Sequence, residues 1–240
     1  MLNKFNYDIC PLGDSAVIVQ FDRVISLEIN QLVQSLAKSL SNNPFCGMVE
    51  IIPAYCTLTI MYDIAEISDN INLTCAYDIV KNILMDRLKN LSDVSNIISK
   101  SIEIPICYDK KYALDLQDVA DKNNMSASHV IKIHSSTIYH VYMTGFAPGF
   151  AFLGGLSDAI ATPRRDNPRL EIPAGAVGIG GNQTGVYPIV SPGGWNIIGQ
   201  CPLKLYDLNQ TRINLINTGD KVAFTSISCK DFDLIKESQG

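Results

Sequence analysis

The chain has 240 residues, 47% hydrophobic and 18% charged, a balance that suits one large or two ordinary globular domains with a packed core. Its formal net charge of −5 leaves no basic footprint of the kind nucleic-acid binding requires. No apolar run approaches the roughly 18 residues of a bilayer-spanning helix, and residues 1–10 lack the apolar core of a secretion signal, so a cytoplasmic location is expected.

Residues 15–21 are a short β-branched apolar run, the pattern of a strand. From Ser26 the apolar residues recur at three and four. Ile29, Leu32, Val33, Leu36, Ala37 and Leu40 give one helical stripe, closed by Asn42-Asn43-Pro44. Strands follow over 48–52 and 57–62, the second alternating Leu58, Ile60 and Tyr62 with Thr57, Thr59 and Met61. Ala76, Ile79, Val80, Ile83, Leu84, Leu88 and Leu91 make a second helical stripe, and 102–106 reads as a closing strand. The order β-α-β-β-α-β predicts a ferredoxin-like unit over residues 1–107, two helices covering one face of an antiparallel sheet. It contains no histidine and no glycine loop before a helix, so it reads as a scaffold or docking unit.

The polar stretch 108–112 is the expected joint to a second unit over 108–240. Helices are predicted over 115–123 and over 126–134, the latter capped by Ser126, and a strand over 137–143. Short strands over 174–179, 186–190, 195–198, 204–207 and 221–225, parted by turn residues, predict a β-barrel or sandwich. Residues 236–240 are expected to fray. The seven cysteines are odd in number and form no C-x-x-C pair, so reduced thiols are expected rather than a zinc site or a disulfide framework.

Twelve of the 16 glycines and six of the 11 prolines fall between Gly145 and Gly199, with Arg164, Arg165, Arg169 and the only tryptophan, Trp195. Glycine permits backbone angles that a Cβ forbids and proline fixes φ. A backbone shaped at that density is where a site is expected.

Four blocks carry a family resemblance: Gly145-Phe146-Ala147-Pro148-Gly149-Phe150 with Leu153-Gly154-Gly155-Leu156; Pro163-Arg164, Pro168-Arg169 and Ile172-Pro173-Ala174-Gly175; Val177 through Pro188; and Ser191-Pro192-Gly193-Gly194-Trp195 leading to Ile198-Gly199. In this order and spacing the chain resembles the family of the B-type 5-oxoprolinase subunits, also called allophanate hydrolase subunit 1, which includes the Kip inhibitor of a sporulation histidine kinase. It is also similar to part of the carboxyltransferase region of urea carboxylase. The resemblance implies a ferredoxin-like N-terminal domain followed by a cyclophilin-like β-barrel. It also implies a subunit that works with A-type and C-type 5-oxoprolinase proteins to open 5-oxoproline to glutamate with ATP. The chain departs from the family at Asp109-Lys110-Lys111-Tyr112, where an acidic Gly-Pro turn is usual.

Opening an unstrained lactam requires an activated amide oxygen and fixed donors for the developing charge, and a carboxylate substrate suits arginine's planar fork. Arg164 and Arg169 are therefore catalytic candidates, and the resemblance adds His134, a titratable group near the first block at a position where the family places a histidine. Phe146, Pro148, Arg165, Gly181, Gln183, Thr184, Gly193, Gly194 and Trp195 are the substrate-contact candidates. Each has a structural alternative: arginines paired with Asp166 and Glu171, glycines serving barrel turns, Trp195 in a core. Residues 178–185 could present backbone N–H groups to an anion but are not a P-loop, because Val186 and Tyr187 stand where Lys and Ser/Thr belong. ATP use is thus expected of the assembled complex. Ser191 lacks the preceding glycine of a nucleophile elbow. Three isolated histidines predict no metal site. Competing readings are a Kip-type inhibitor of a histidine kinase and a carboxyltransferase-type subunit acting on urea-like amides with a biotin-bearing partner.

Overall fold

A computed structural model describes residues 5–68, 75–91, 99–209 and 213–239. The chain divides into two compact units, Met1–Ile98 and Ser99–Gly240.

In the first unit, β1 (Tyr7–Pro11) and β2 (Ala16–Phe21) form a hairpin, followed by α1 (Leu27–Asn42), β3 (Met48–Pro53), β4 (Thr57–Tyr62), α2 (Ile64–Ser68) and α3 (Ala76–Lys89). Ser26 caps α1 by accepting from the Ile29 N–H at 3.2 Å. All six residues of the first stripe are buried, as are Ala76, Val80, Leu84 and Leu88 of the second. They pack on the inward face of the sheet, where Val17, Val19, Phe21, Leu58, Ile60 and Tyr62 alternate with less buried neighbours. Both periodicities, 3.6 and 2, thus feed one apolar core.

The sheet is antiparallel with strand order β1-β2-β4-β3. This corrects the expected connectivity. The edge assigned to residues 102–106 is occupied by β1, which pairs with β2 from Tyr7↔Phe21 to Pro11↔Val17.

Residues 102–106 instead lie in β5 (Ser101–Cys107), which opens the second unit, so the joint falls earlier than the expected 107/108 boundary. The elements that follow are α4 (Leu116–Lys122), α5 (Ala127–Ser136), β6 (Ile138–Thr144), β7 (Ala151–Gly154), β8 (Arg169–Ile172), β9 (Ala176–Gly180) and β10 (Gln183–Val186). After them come β11 (Ser191–Gly193), β12 (Asn196–Gln200), β13 (Lys221–Ile227) and α6 (Cys229–Glu237). Among the described residues, seven strands close a barrel in the order β10-β7-β6-β13-β5-β12-β9, and β8 pairs with β11 in a separate ribbon. β5 runs parallel to β13 from Ser101↔Lys221 to Cys107↔Ile227. That pairing places Ile104 and Ile106 in the barrel core with Val141, Leu153, Val177, Ile179 and Phe224. Closure removes the exposed edges an open sheet would leave.

The strand expected over 186–190 ends at Val186, shortly before Pro188, which has no N–H to donate. Residues 204–207 form only an isolated bridge, Tyr206↔Asn214. Of the residues expected to fray, 236–239 continue or cap a helix, and residue 240 lies outside the described residues. A capping box between Ser228 and Asp231 starts α6, and the Ser238 N–H still bonds to the Leu234 carbonyl at 3.2 Å. No described helix is long and apolar enough to cross a membrane.

Candidate functional site

The loop from β6 to β7 turns back through Phe146, a bulky residue held at φ 70 and 65% exposed. Positive φ is costly for a side chain with a Cβ, and such residues cluster at binding sites. Phe146 packs edge-on against Phe150, their centroids 5.3 Å apart. Phe150 in turn meets Tyr187 at 5.4 Å and Trp195 at 5.8 Å, both in T-shaped contacts. With Phe152, Pro192, Gly193, Gly194 and Arg164 these rings line an open cleft of about 160 Å³. Arg164 is exposed on its rim and forms no ion pair among the described residues.

The glycines of the third sequence block have a different role from an anion nest. β9 and β10 pair as a hairpin, Gln183↔Gly180 through Val186↔Val177, with Gly181 at φ 67 as the first turn residue. The Gly181 N–H is spent on the Thr162 carbonyl at 2.8 Å. What requires the glycines is Trp195. A Cβ at Gly180 would lie 2.3 Å from its Nε1 and one at Gly178 3.0 Å from its Cβ, while one at Gly185 would lie 2.9 Å from the Ala151 carbonyl oxygen and 3.2 Å from the indole Cζ3. The strand surface is bare so that an indole can lie on it. Trp195, 4% exposed, is thus both a core residue and the wall of the cleft.

Two of the three arginines are committed elsewhere. Asp115, its side chain 2% exposed just before α4, accepts from Arg165 Nη1 and from both Nη1 and Nη2 of Arg169, each at 2.7 Å. The Ile197 backbone N–H adds a fourth bond at 2.7 Å. The expected partners, Asp166 and Glu171, are not used in this cluster. The Arg165 N–H also donates to the Gly194 carbonyl at 2.7 Å, and Asn196 Nδ2 donates to the carbonyls of Pro163 and Ile179. Asp115 and Asn196 therefore brace the two segments that carry Arg164 and Gly193-Gly194-Trp195.

The structure places His134, one of the catalytic candidates, inside the barrel. It is fully buried and stacks on Phe224 at 4.7 Å. Its Nε2 meets Thr184 Oγ1 at 3.0 Å, and that hydroxyl donates to the Gly178 carbonyl at 2.9 Å, so Nε2 carries the proton. Nδ1 then accepts from the Tyr108 hydroxyl at 2.8 Å. Burial alone drives the His134 pKa down to about 3, so the ring is neutral. Thr184, its hydrogen-bond partner, is buried with it.

The structure thus brings Phe146, Arg164, Gly193, Gly194 and Trp195 together and sets Arg165 and Arg169 behind them. Pro148, Gly181 and Gln183 do not line the cleft. Among the described residues, Ser191 Oγ has no hydrogen-bond partner. Sequence reasoning did not single out Asp115, Phe150, Phe152, Tyr187 or Asn196. The aromatics stood inside the glycine-rich blocks, and Asp115 showed only as the start of a helix.

Over residues 7–216 the chain matches the family described as carboxyltransferase domain, subdomain C and D. It is 42% identical over 233 residues to the B-type subunit of the Bacillus subtilis 5-oxoprolinase, covering 96% of this chain and 97% of that protein. The solved structure of TTHA0988 superposes with a TM-score of 0.76 at 33% identity over 89% of this chain, and this chain spans 40% of that longer one. The urea carboxylase of Kluyveromyces lactis also reaches a TM-score of 0.76, over 97% of this chain and 23% of that protein; at 18% identity the likeness is one of fold.

Proposed function

The chain belongs to the carboxyltransferase subdomain C and D family and to that of the B-type 5-oxoprolinase subunits. From that premise we propose that it is the B-type member of an ATP-dependent 5-oxoprolinase, opening 5-oxo-L-proline to L-glutamate only in company with A-type and C-type subunits. The observation that carries this reading is the aromatic cleft with Arg164 on its rim. A five-membered lactam is a flat ring bearing one carboxylate. The rings of Phe150, Tyr187 and Trp195 offer it walls, and the guanidinium a bidentate partner for the carboxylate.

ATP supplies the free energy that hydrolysis of an unstrained amide needs. The chain's own residues bind and orient. The aromatic walls replace water along the face a ring would occupy, which lowers the local dielectric there. Burial raises the Tyr187 hydroxyl above the ordinary phenol range, partly offset by the Trp195 backbone N–H and by Arg164. It therefore stays protonated and can donate to the lactam oxygen as negative charge gathers there.

The test is reconstitution. The chain is combined with its A-type and C-type companions, and 5-oxoproline-dependent ADP release is measured with and without it. Full activity in its absence would remove the reading.

A further inference from the structure

We propose that a second cavity of the barrel unit, between the segment leaving β12, the 174–175 turn and α6, is a binding site for a small organic anion: a carboxylate or phosphate carried on an apolar body. The cavity measures about 350 Å³ and shares no lining residue with the aromatic cleft. That volume falls in the range of small-molecule sites, roughly 300 to 1,000 Å³.

Its lining inverts the charge of the chain. The whole sequence has 24 acidic and 19 basic residues, yet the cavity is lined by Lys204 and Lys236 and by no carboxylate. Neither lysine forms an ion pair among the described residues. Lys236 Nζ sits 5.8 Å from the Phe232 ring centroid, which holds the ammonium beside the cavity's aromatic wall. Gln239 Oε1 accepts from the Lys204 backbone N–H at 2.8 Å, which fixes the amide so that its NH₂ can donate to a ligand. Gln200 uses one amide N–H on the Ala174 carbonyl at 2.7 Å and keeps the other. The rim is therefore rich in donors.

The walls are apolar. Leu203, Pro188, Pro202 and Phe232 contribute, and burial pushes the Cys201 thiol up to about 12, so it adds no competing negative charge. Gly175, at φ 83, could not carry a side chain: its Cβ would lie 2.2 Å from the Cys201 carbonyl oxygen. This stretch of wall is bare backbone as a result. Exposed charge pairs are individually weak, so the apolar walls must supply part of the affinity. That favours an organic anion over a bare inorganic one.

The test uses the isolated full chain, so its failure is separate from that of the 5-oxoprolinase reading. Calorimetric titrations are run with ADP, phenylacetate and inorganic phosphate. The expected result is saturable binding of ADP or phenylacetate at low millimolar concentration or below, with phosphate weaker; which one binds identifies the anion's source. A Lys204→Gln/Lys236→Gln double variant should bind about tenfold more weakly, and Lys132→Gln, on α5 and outside the lining of either cavity, should bind like the parent. The proposal is overturned if neither organic anion saturates, if phosphate binds as well as they do, or if the double variant retains parental affinity.

Discussion

Arg169 grips Asp115 with both terminal nitrogens, Nη1 to Oδ2 and Nη2 to Oδ1, each at 2.7 Å. Arg165 and the Ile197 N–H complete the shell, so both oxygens of a buried carboxylate accept two charge-assisted or backbone bonds. Burying a charge is tolerable only when it is paired to this degree. Arg165 and Arg169 thus spend their guanidinium groups on Asp115, and of the three arginines Arg164 lines the cleft.

Asp115→Ala should destabilise the barrel unit by about 3 kcal/mol, because it removes the shared partner of two partly buried guanidinium groups and leaves Arg165 only Asp118, at 3.7 Å. Arg169→Ala should cost less, about 2 kcal/mol, since Arg165 and Ile197 still serve the carboxylate. Denaturant midpoints measure both. Unshifted midpoints would show that the cluster does not hold the fold.

Arg164→Ala should leave the midpoint unchanged and, in the reconstituted complex, raise the KM for 5-oxoproline about tenfold. Arg164→Lys should recover only part of this, because an ammonium cannot pair bidentately. Parental kinetics in the alanine variant would take Arg164 out of the site.

Gly180→Ala is a clean steric test, since the residue needs no left-handed backbone and its new Cβ would lie 2.3 and 2.4 Å from Nε1 and Cδ1 of Trp195. The expected cost is about 1–3 kcal/mol from overpacking. A change in the emission of the single tryptophan should accompany it. Unaltered fluorescence and stability would mean that the indole does not rest on this strand.

Stability should fall with pH because of His134. Its folded pKa of about 3 lies below the ordinary 6.5, so between those values the unfolded chain binds a proton that the native protein refuses. The contribution is fully present above pH 6.5 and is lost as pH falls toward 3, with a limiting slope of about 1.4 kcal/mol per pH unit. Urea titrations between pH 7 and 4 measure it against His134→Gln, which should flatten this component. An equal slope in the variant would place its origin elsewhere.

Much of the first unit was legible locally. The stripe Ile29, Leu32, Val33, Leu36, Ala37, Leu40 could only be one face of a helix, and all six residues are buried. The Ser126 cap was legible too, and its side chain accepts from the His129 N–H at 3.3 Å. β1 was not. Its Tyr7, Asp8, Ile9 and Cys10 alternate too briefly to stand out, and edge strands are only half-buried. The glycines marked the place of the cleft but not their reason, which is the bulk of Trp195 against Gly178 and Gly180 and the Ala151 carbonyl against Gly185.

Residue order and periodicity determined which faces are apolar, where helices begin and which stretch is dense in shaped backbone, because those depend on neighbours a few positions apart. Only the tertiary structure decided that residues 102–106 join β13 and not the first sheet, that Asp115 takes Arg165 and Arg169, and that His134 lies in the core. Each of these choices is made between groups distant in sequence, by closure of the barrel and by the need to pair every charge and polar atom that closure buries.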